Sequence, residues 1–285
     1  MSALTGIVHG LPEADYHARP ELSSTEARLI LESPAKYRWK KDHPPLVAPS
    51  KKFDIGSAVH SKVLGTGYDV AVIPDEILAS NGAISTKEAK AFVDEARADG
   101  KIPLKRVDFE PIDAAAESVL AHPTARALFD QPGDAEVSVF AEIDGVPVRA
   151  RFDFLPEQSE RRRVAVDLKT ARDASFREFE RSIASLRYDV QRSWYLAALD
   201  AVTGPMPHGL EPEFVYVAVE KEPPYLVGVH AITPQWAAIG DAASAKARRL
   251  YASCMEAGVW PGYPEEIQYH APPTWLVIQA EEDDE

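Results

Sequence analysis

The sequence predicts an α/β (α+β) fold: a sheet core flanked by helices and preceded by an N-terminal helical portion. Three observations predict it. Helical patterns with capping signals dominate the chain up to about Asp130, three strand patterns follow in succession between Glu136 and Thr170, and helices then alternate with strands up to a long final helix. No internal repeat or low-complexity linker interrupts this order. One domain is expected over residues 1–275, with 276–285 an acidic, disordered tail.

The elements follow in order. In LSSTEARLILESP, Ser23 and Glu26 have capping-box spacing, and Ser33-Pro34 both ends this helix and starts the next, which runs through Trp39. HPPLVAPSKK reads as a loop. Residues 53–64, FDIGSAVHSKVL, read as a helix on which Gly56 and His60, four apart, share a face, and a glycine there permits close approach by another backbone. Residues 68–75 read as a strand running into a loop. Ser85 and Glu88 again have capping-box spacing, for a helix that stops at Gly100. Another helix runs from about Pro111 to His122, and TARALFD is a short helical turn after Pro123.

Strand character then takes over. EVSVFAEI and VPVRARFDFL are joined by Asp144-Gly145, a tight hairpin signal, and the polar loop EQSERRR leads into VAVDLKT, which makes an antiparallel meander. Helices are expected at about 175–186 and 189–202, the second closed by Gly204. EFVYVAVE and YLVGVHAI flank the turn KEPP as two further strands. Thr233 caps a long helix that has Pro234 at its first position and runs to Gly258.

Composition narrows the function. With 285 residues, 45% hydrophobic and 27% charged, the chain has the make-up of a soluble globular protein with ample core. No apolar run approaches the roughly 18 residues of a membrane span, so no membrane partner is expected. The opening MSALTGIVHGLPEADYH has no basic start followed by an apolar stretch, so no signal peptide and a cytoplasmic location are expected. Cys254, the only cysteine, excludes intramolecular disulfides, a multi-cysteine zinc site and an iron–sulfur cluster, and is expected to pack in the core.

A net charge of −14 argues against indiscriminate nucleic-acid binding, yet the charge is unevenly spread. Between Lys36 and Lys52 stand six basic residues (Lys36, Arg38, Lys40, Lys41, Lys51, Lys52) against one acid, Asp42, with Tyr37 and Trp39 interleaved. This stretch is either a phosphate-tracking patch or a solvated helix end followed by a proline-rich loop.

The meander carries the chemistry. In VAVDLKT, Val164, Val166 and Leu168 alternate with Ala165, Asp167 and Lys169, and a strand of period two sends Asp167 and Lys169 to one face. Upstream, Val148, Ala150, Phe152 and Phe154 alternate with Arg149, Arg151 and Asp153, so a second strand also carries its carboxylate on a polar face. Two carboxylates and an ammonium can converge there. A hard divalent cation takes one or two carboxylates plus waters and substrate phosphate, and lowers the pKa of its water. An ammonium beside that water can orient it and offset charge in the transition state. A lone D-x-K is more often a solvent-facing charge pair. Here it has company: Gln191 and Tyr195 lie one helical turn apart on one face, suited to a phosphate contact or to positioning Lys169, while Val190, Trp194, Ala197 and Ala198 define an apolar side.

GSAVH ending in His60, RFD ending in Asp153, Asp167-Leu168-Lys169 and Gln191-Arg-Ser-Trp-Tyr195, in that order, resemble the PD-(D/E)xK nucleases, most closely the exonuclease VIII (RecE) nuclease domain and its phage relatives. LSSTEARLILESPAKYRW looks like that group's opening helices, so the likeness covers roughly residues 14–270. Phe152 stands where the family's name implies proline, and the loop between the two aspartates carries the extra run ERRR. The first departure leaves the chemistry intact; the second bears on how DNA enters.

The resemblance implies a restriction-endonuclease-like mixed sheet core. It implies that Asp153, Asp167 and the Leu168 carbonyl bind Mg²⁺, with Mn²⁺ as a substitute, and that Lys169 assists the attacking water. His60 resembles the family's additional metal-contacting histidine, and Glu136 an acidic position that often precedes the first aspartate, either behind the metal ligands or as a strand-edge charge. Arg149 and Arg151, on the face of Asp153, either hold phosphates or, the preferred reading, pair with Glu136 and Glu142. DNA contacts are expected from Arg149, Arg151, Lys36, Arg38, Lys51 and Lys52.

The implied function is a metal-dependent exodeoxyribonuclease that shortens one strand of linear duplex DNA, in the 5′ to 3′ sense. It would leave single strands for an annealing recombinase and assemble with copies of itself into a ring. Two alternatives stand beside it: a non-catalytic DNA-binding or assembly module of the same fold, against which the intact DxK weighs, and a nuclease of endo or other end specificity. The iron–sulfur form of the latter is disfavoured by the solitary cysteine.

Overall fold

The computed structural model describes residues 4–43, 55–66, 70–99, 101–207 and 209–283. Its elements begin with β1 (Gly6–Val8), α1 (Glu13–Ala18), α2 (Ser24–Glu32), α3 (Pro34–Asp42), α4 (Ile55–Leu64) and β2 (Val70–Ile73). After a 3₁₀ turn, Asp75–Ile77, come α5 (Lys87–Ala98), β3 (Ile102–Lys105), α6 (Arg106–Ala121) and α7 (Pro123–Phe129). The remainder is β4 (Gly133–Ile143), β5 (Val146–Pro156), β6 (Val164–Ala171), α8 (Phe176–Leu186), α9 (Tyr188–Thr203), β7 (Glu213–Glu220), β8 (Val227–Ala231), α10 (Pro234–Ala257) and α11 (Thr274–Asp283).

Local chemistry sets most boundaries. The Ser23 hydroxyl accepts the Glu26 N–H while the Glu26 carboxylate accepts the Ser23 N–H, a complete capping box, and Ser33 closes α2 and caps α3. Asp144 and Gly145 take φ of 54° and 75°, the left-handed pair that a tight hairpin demands. Three expectations need correction. The cap of α5 is Thr86, whose hydroxyl accepts the Ala89 N–H, and not Ser85. Helix α6 starts at Arg106 and carries Pro111 inside it; the hydrogen bond forgone there is offset by a face that buries Ile112, Ala115, Ala116 and Val119. Strand β3 was not foreseen, since Pro103 argues against a central strand, but β3 pairs only with β2 in a two-stranded parallel sheet, where a proline is tolerated.

The main sheet runs β1-β4-β5-β6-β7-β8, antiparallel except for the parallel pair β6–β7, so it is mixed, as expected. Parallel neighbours need a crossover, and α8 and α9 supply it. One face packs Ala27 and Ile30 of α2, Tyr37 of α3, Phe179 of α8, Trp194 and Leu199 of α9 and Ala247 of α10; the other packs Val59 of α4, Ile112 of α6 and Ala125 of α7. With both faces covered, β7 reads as the near-continuous apolar run FVYVAV and is buried along it. Helix α10 lies so close to α9 that a Cβ on Gly240 would stand 2.3 Å from the Asp189 carbonyl oxygen and 2.7 Å from the Ser193 hydroxyl. Cys254 is buried, in line with expectation.

The regular alternation read from β5 fails at one place. Phe152 packs edge-on against Tyr195 of α9, whereas Phe154, two residues on, packs against Phe129 of α7 on the opposite face. The cause lies across the hairpin. Glu136 adopts φ 56°, and the ladder, regular at Ala135–Phe154 and Val137–Phe152, lacks a pair at the level of Glu136 and Asp153. Irregularities of this kind re-aim a side chain. The one re-aimed here is Asp153. At the other end of the chain, where a disordered acidic tail was expected from residue 276, the structure has helix α11, whose side chains from Thr274 to Glu281 are exposed.

Candidate active site

Strands β5 and β6 pair at Phe154–Val166 and then part. The loop behind them is tied by Gln158, whose amide nitrogen donates to the Val164 carbonyl while its oxygen accepts the Val164 N–H. Beyond the parting, the Leu168 N–H, freed from that side of the ladder, donates at 2.7 Å to Asp153 Oδ2. A backbone donor left over by the divergence thus fixes the first carboxylate beside the strand that carries the second. His60, reaching in from α4, places Nδ1 3.5 Å from the same Asp153 oxygen.

Asp167 is held from the other face. The Gln191 amide, projected by α9, donates to Asp167 Oδ1 at 2.7 Å, and Lys169 Nζ lies 2.6 Å from Oδ2. Asp167 and Lys169 therefore share a face, as the period-two reading requires. The ammonium also sits 5.1 Å above the Tyr188 ring, a cation–π contact that orients it further. Sequence reading missed Tyr188, although it stands three residues before Gln191 and seven before Tyr195, one helical face. The Tyr195 ring is wedged between Phe152 and Phe214. Gln191 is only 6% exposed and gives its amide N–H to Asp167, a geometry that fixes the orientation of that carboxylate.

The electrostatics are those of charges gathered against their own cost. Burial, and then the neighbouring Asp167, push the Asp153 carboxyl up to about 7, against the opposing pull of His60, Lys169 and the Leu168 N–H. Burial of Lys169 works against its charge, but Asp167 and Asp153 outweigh that and hold its proton above the usual lysine range. Burial raises the Tyr195 phenol well above its ordinary value. Lys169 is consequently an ammonium at neutral pH, a donor and a charge.

The residues fit a hard divalent cation. Asp167 Oδ2 is buried and meets the Lys169 ammonium at 2.6 Å, which takes one of its two lone-pair directions and leaves the other for a cation. Asp153 lies close enough to Asp167 to feel its charge. Among the described residues no three His, Cys, Asp or Glu side chains form a closed cage. A magnesium-type ion, bound by one or two carboxylates with waters and phosphate, needs none.

The other expected site residues separate from this cluster. Arg149 is a correction to the DNA-contact expectation: it is 5% exposed, its guanidinium bonds the Arg19 carbonyl, faces the Tyr16 ring and lies 3.5 Å from Glu26, not Glu142. Arg151 pairs with Glu136, the preferred reading, and also bonds the Leu11 carbonyl and Ser138, which ties the N-terminal segment to the sheet. Lys36 and Arg38 are exposed on α3, in pairs with Glu32 and Asp42. Lys51 and Lys52 lie outside the described residues.

Comparison with known proteins bears on the family and the fold. The model of a family described as a PDDEXK-like domain of unknown function (DUF3799) matches residues 23–273. No curated protein matches. Among solved structures, the chain is similar to one described as "Putative exonuclease" from Eubacterium rectale, with a TM-score of 0.59 at 13% identity, over 96% of this chain and 99% of that one. At that identity the likeness concerns the fold. The structure of SSO0001 aligns over 70% of this chain and 84% of that one at 12% identity, with a TM-score of 0.29, too low to bear on the fold.

Proposed function

Because the chain belongs to the PDDEXK-like family (DUF3799), and with it to the PD-(D/E)xK nuclease superfamily, we propose that it is a metal-dependent exodeoxyribonuclease acting on linear duplex DNA. The observation that carries this reading is the meeting of Asp153, Asp167 and Lys169 where β5 and β6 part. Asp153 and Asp167, with the Leu168 carbonyl, would hold Mg²⁺ or Mn²⁺, and His60 would approach from the Asp153 side. Such an ion, when bound, polarises a phosphoryl oxygen and lowers the pKa of a coordinated water.

The rest is the work of the chain. Lys169, kept protonated, orients the attacking water and offsets the charge that gathers on the phosphoryl oxygens. Gln191 fixes the rotamer of Asp167, and the Tyr188 ring restrains the ammonium. The exonuclease character, the 5′ to 3′ sense and the service to an annealing recombinase rest on the resemblance to exonuclease VIII, and the description of the Eubacterium rectale structure accords with the first. The same resemblance supports assembly into a ring.

The test is digestion of end-labelled linear duplex with Mg²⁺, alongside circular duplex and the variants Asp167→Ala and Lys169→Ala. Nucleotide release from linear duplex only, lost by about a thousandfold or more in both folded variants, is the expected result, the scale of removing an electrostatic catalytic group. Release by the variants at the wild-type rate would overturn the assigned chemistry. DNA binding without metal-stimulated release would identify a binding module instead.

A further inference from the structure

Helix α11 is apolar on every side of its first turns. Trp275, Leu276, Val277 and Ile278 are consecutive, so at 100° per residue they span the whole helix circumference, and they are 66%, 42%, 40% and 50% exposed. A helix apolar all round belongs inside something. The segment leading to it is equally uncovered: Tyr263, Ile267 and Tyr269 are among the most exposed large side chains of the chain. Contiguous apolar surface of this kind marks an association site.

The arm leaves the body beside α3. The Ala35 N–H donates to the Pro261 carbonyl, Trp260 packs on Tyr37, and Lys36 faces the Tyr263 ring. Helix α3 has the opposite chemistry to the arm. Its nine residues, PAKYRWKKD, carry four cations against one acid, whereas α11 runs into five consecutive acids, Glu281 to Glu285. The exposed side of α3 also presents Trp39, 61% exposed, beside Lys40, which has no ion-pair partner among the described residues. The exposed pairs Lys36–Glu32 and Arg38–Asp42 are weak and exchangeable.

We infer that the arm of one copy docks on α3 of a second copy, with the apolar turn of α11 against Trp39 and its acidic end along the α3 cations. Charge complementarity selects this occupant: at −14 the whole chain repels its copies, and α3 is a basic-apolar strip to which the acidic-apolar arm is matched. Between Tyr263 and Thr274 there is enough chain to bridge to a neighbour, up to roughly 35 Å when extended. The inference deepens the proposed self-assembly by naming its contact. It stands apart from the chemistry of Asp153 and Asp167.

The experiment is analytical ultracentrifugation of the full chain with two double variants, Trp275→Glu/Ile278→Glu on the arm and Trp39→Glu/Lys40→Glu on α3, each checked for folding by circular dichroism. Wild type is expected to associate, and each variant to weaken association by about tenfold or more, the effect of losing a central anchor residue. Mixing the two variants should restore association, because each supplies the surface that the other lacks; a merely structural defect would not be complemented. A monomeric wild type, an unaffected arm variant, or a mixture that stays apart would each overturn the inference. Nuclease assays on the same variants distinguish this failure from failure of the proposed chemistry.

Discussion

Helices α9 and α11 each carry a tryptophan in an apolar setting, and they end in opposite environments. Trp194 of α9 is 1% exposed and donates its indole N–H to the Arg149 carbonyl at 3.2 Å; Trp275 of α11 stands in solvent. Helix α9 even buries Asp189, Gln191 and Ser193, while α11 leaves Leu276 to Ile278 outside. Apolar content therefore does not decide burial here; a facing surface does. Helix α9 lies between the sheet and α10, so its polar residues are drawn inside and put to use. Among the described residues, no such surface covers the apolar turn of helix α11, which stays 40–66% exposed from Trp275 to Ile278.

The contrast can be broken by substitution, starting with the largest effect. Trp194→Ala should cost about 3–5 kcal/mol, read by urea unfolding, since it empties a packed site and strands a carbonyl; a loss below 1 kcal/mol would mean that α9 is not an interior helix. Gln191→Ala should cost about 1–3 kcal/mol by leaving Asp167 Oδ1 without its donor, and a variant as stable as wild type would show that the Gln191–Asp167 bond is not formed.

The third effect has the opposite sign. Asp153 holds its proton more tightly in the folded than in the unfolded chain, so in EDTA its contribution to stability is present in acid and declines as pH rises through about 7. Asp153→Asn keeps an oxygen to accept the Leu168 N–H and carries no charge. It should be more stable than wild type by about 1–3 kcal/mol at pH 8 and gain little at pH 4. An equal effect at both pH values would remove the burial and like-charge explanation. Smallest of all, Trp275→Ala should shift the unfolding of the separated chain by less than about 0.5 kcal/mol, the ordinary range for a surface position.

The same contrast explains what could be read beforehand. The meander, the Asp144-Gly145 turn and the shared face of Asp167 and Lys169 follow from near-neighbour chemistry, so they were legible in the sequence. Helix α9 was visible as a helix with Gln191 and Tyr195 on one face; what that face meets depends on a strand more than twenty residues away. The reversal between Phe152 and Phe154 was hidden because its cause, Glu136, sits in the opposite strand. By composition the basic stretch around α3 reads equally as a phosphate track or as a solvated helix end. Its ion pairs with Glu32, Asp42 and Glu26 appear only once the helices are folded and packed.

The missing side chain at Gly240 has a mechanical consequence. With nothing between them, the backbones of α9 and α10 ride on each other at the turn that flanks Gln191, and from Gly240 α10 extends about 26 Å to the root of the arm. A tug on that root is delivered, through a rigid rod and without any cushioning methyl, to the helix that steadies Asp167.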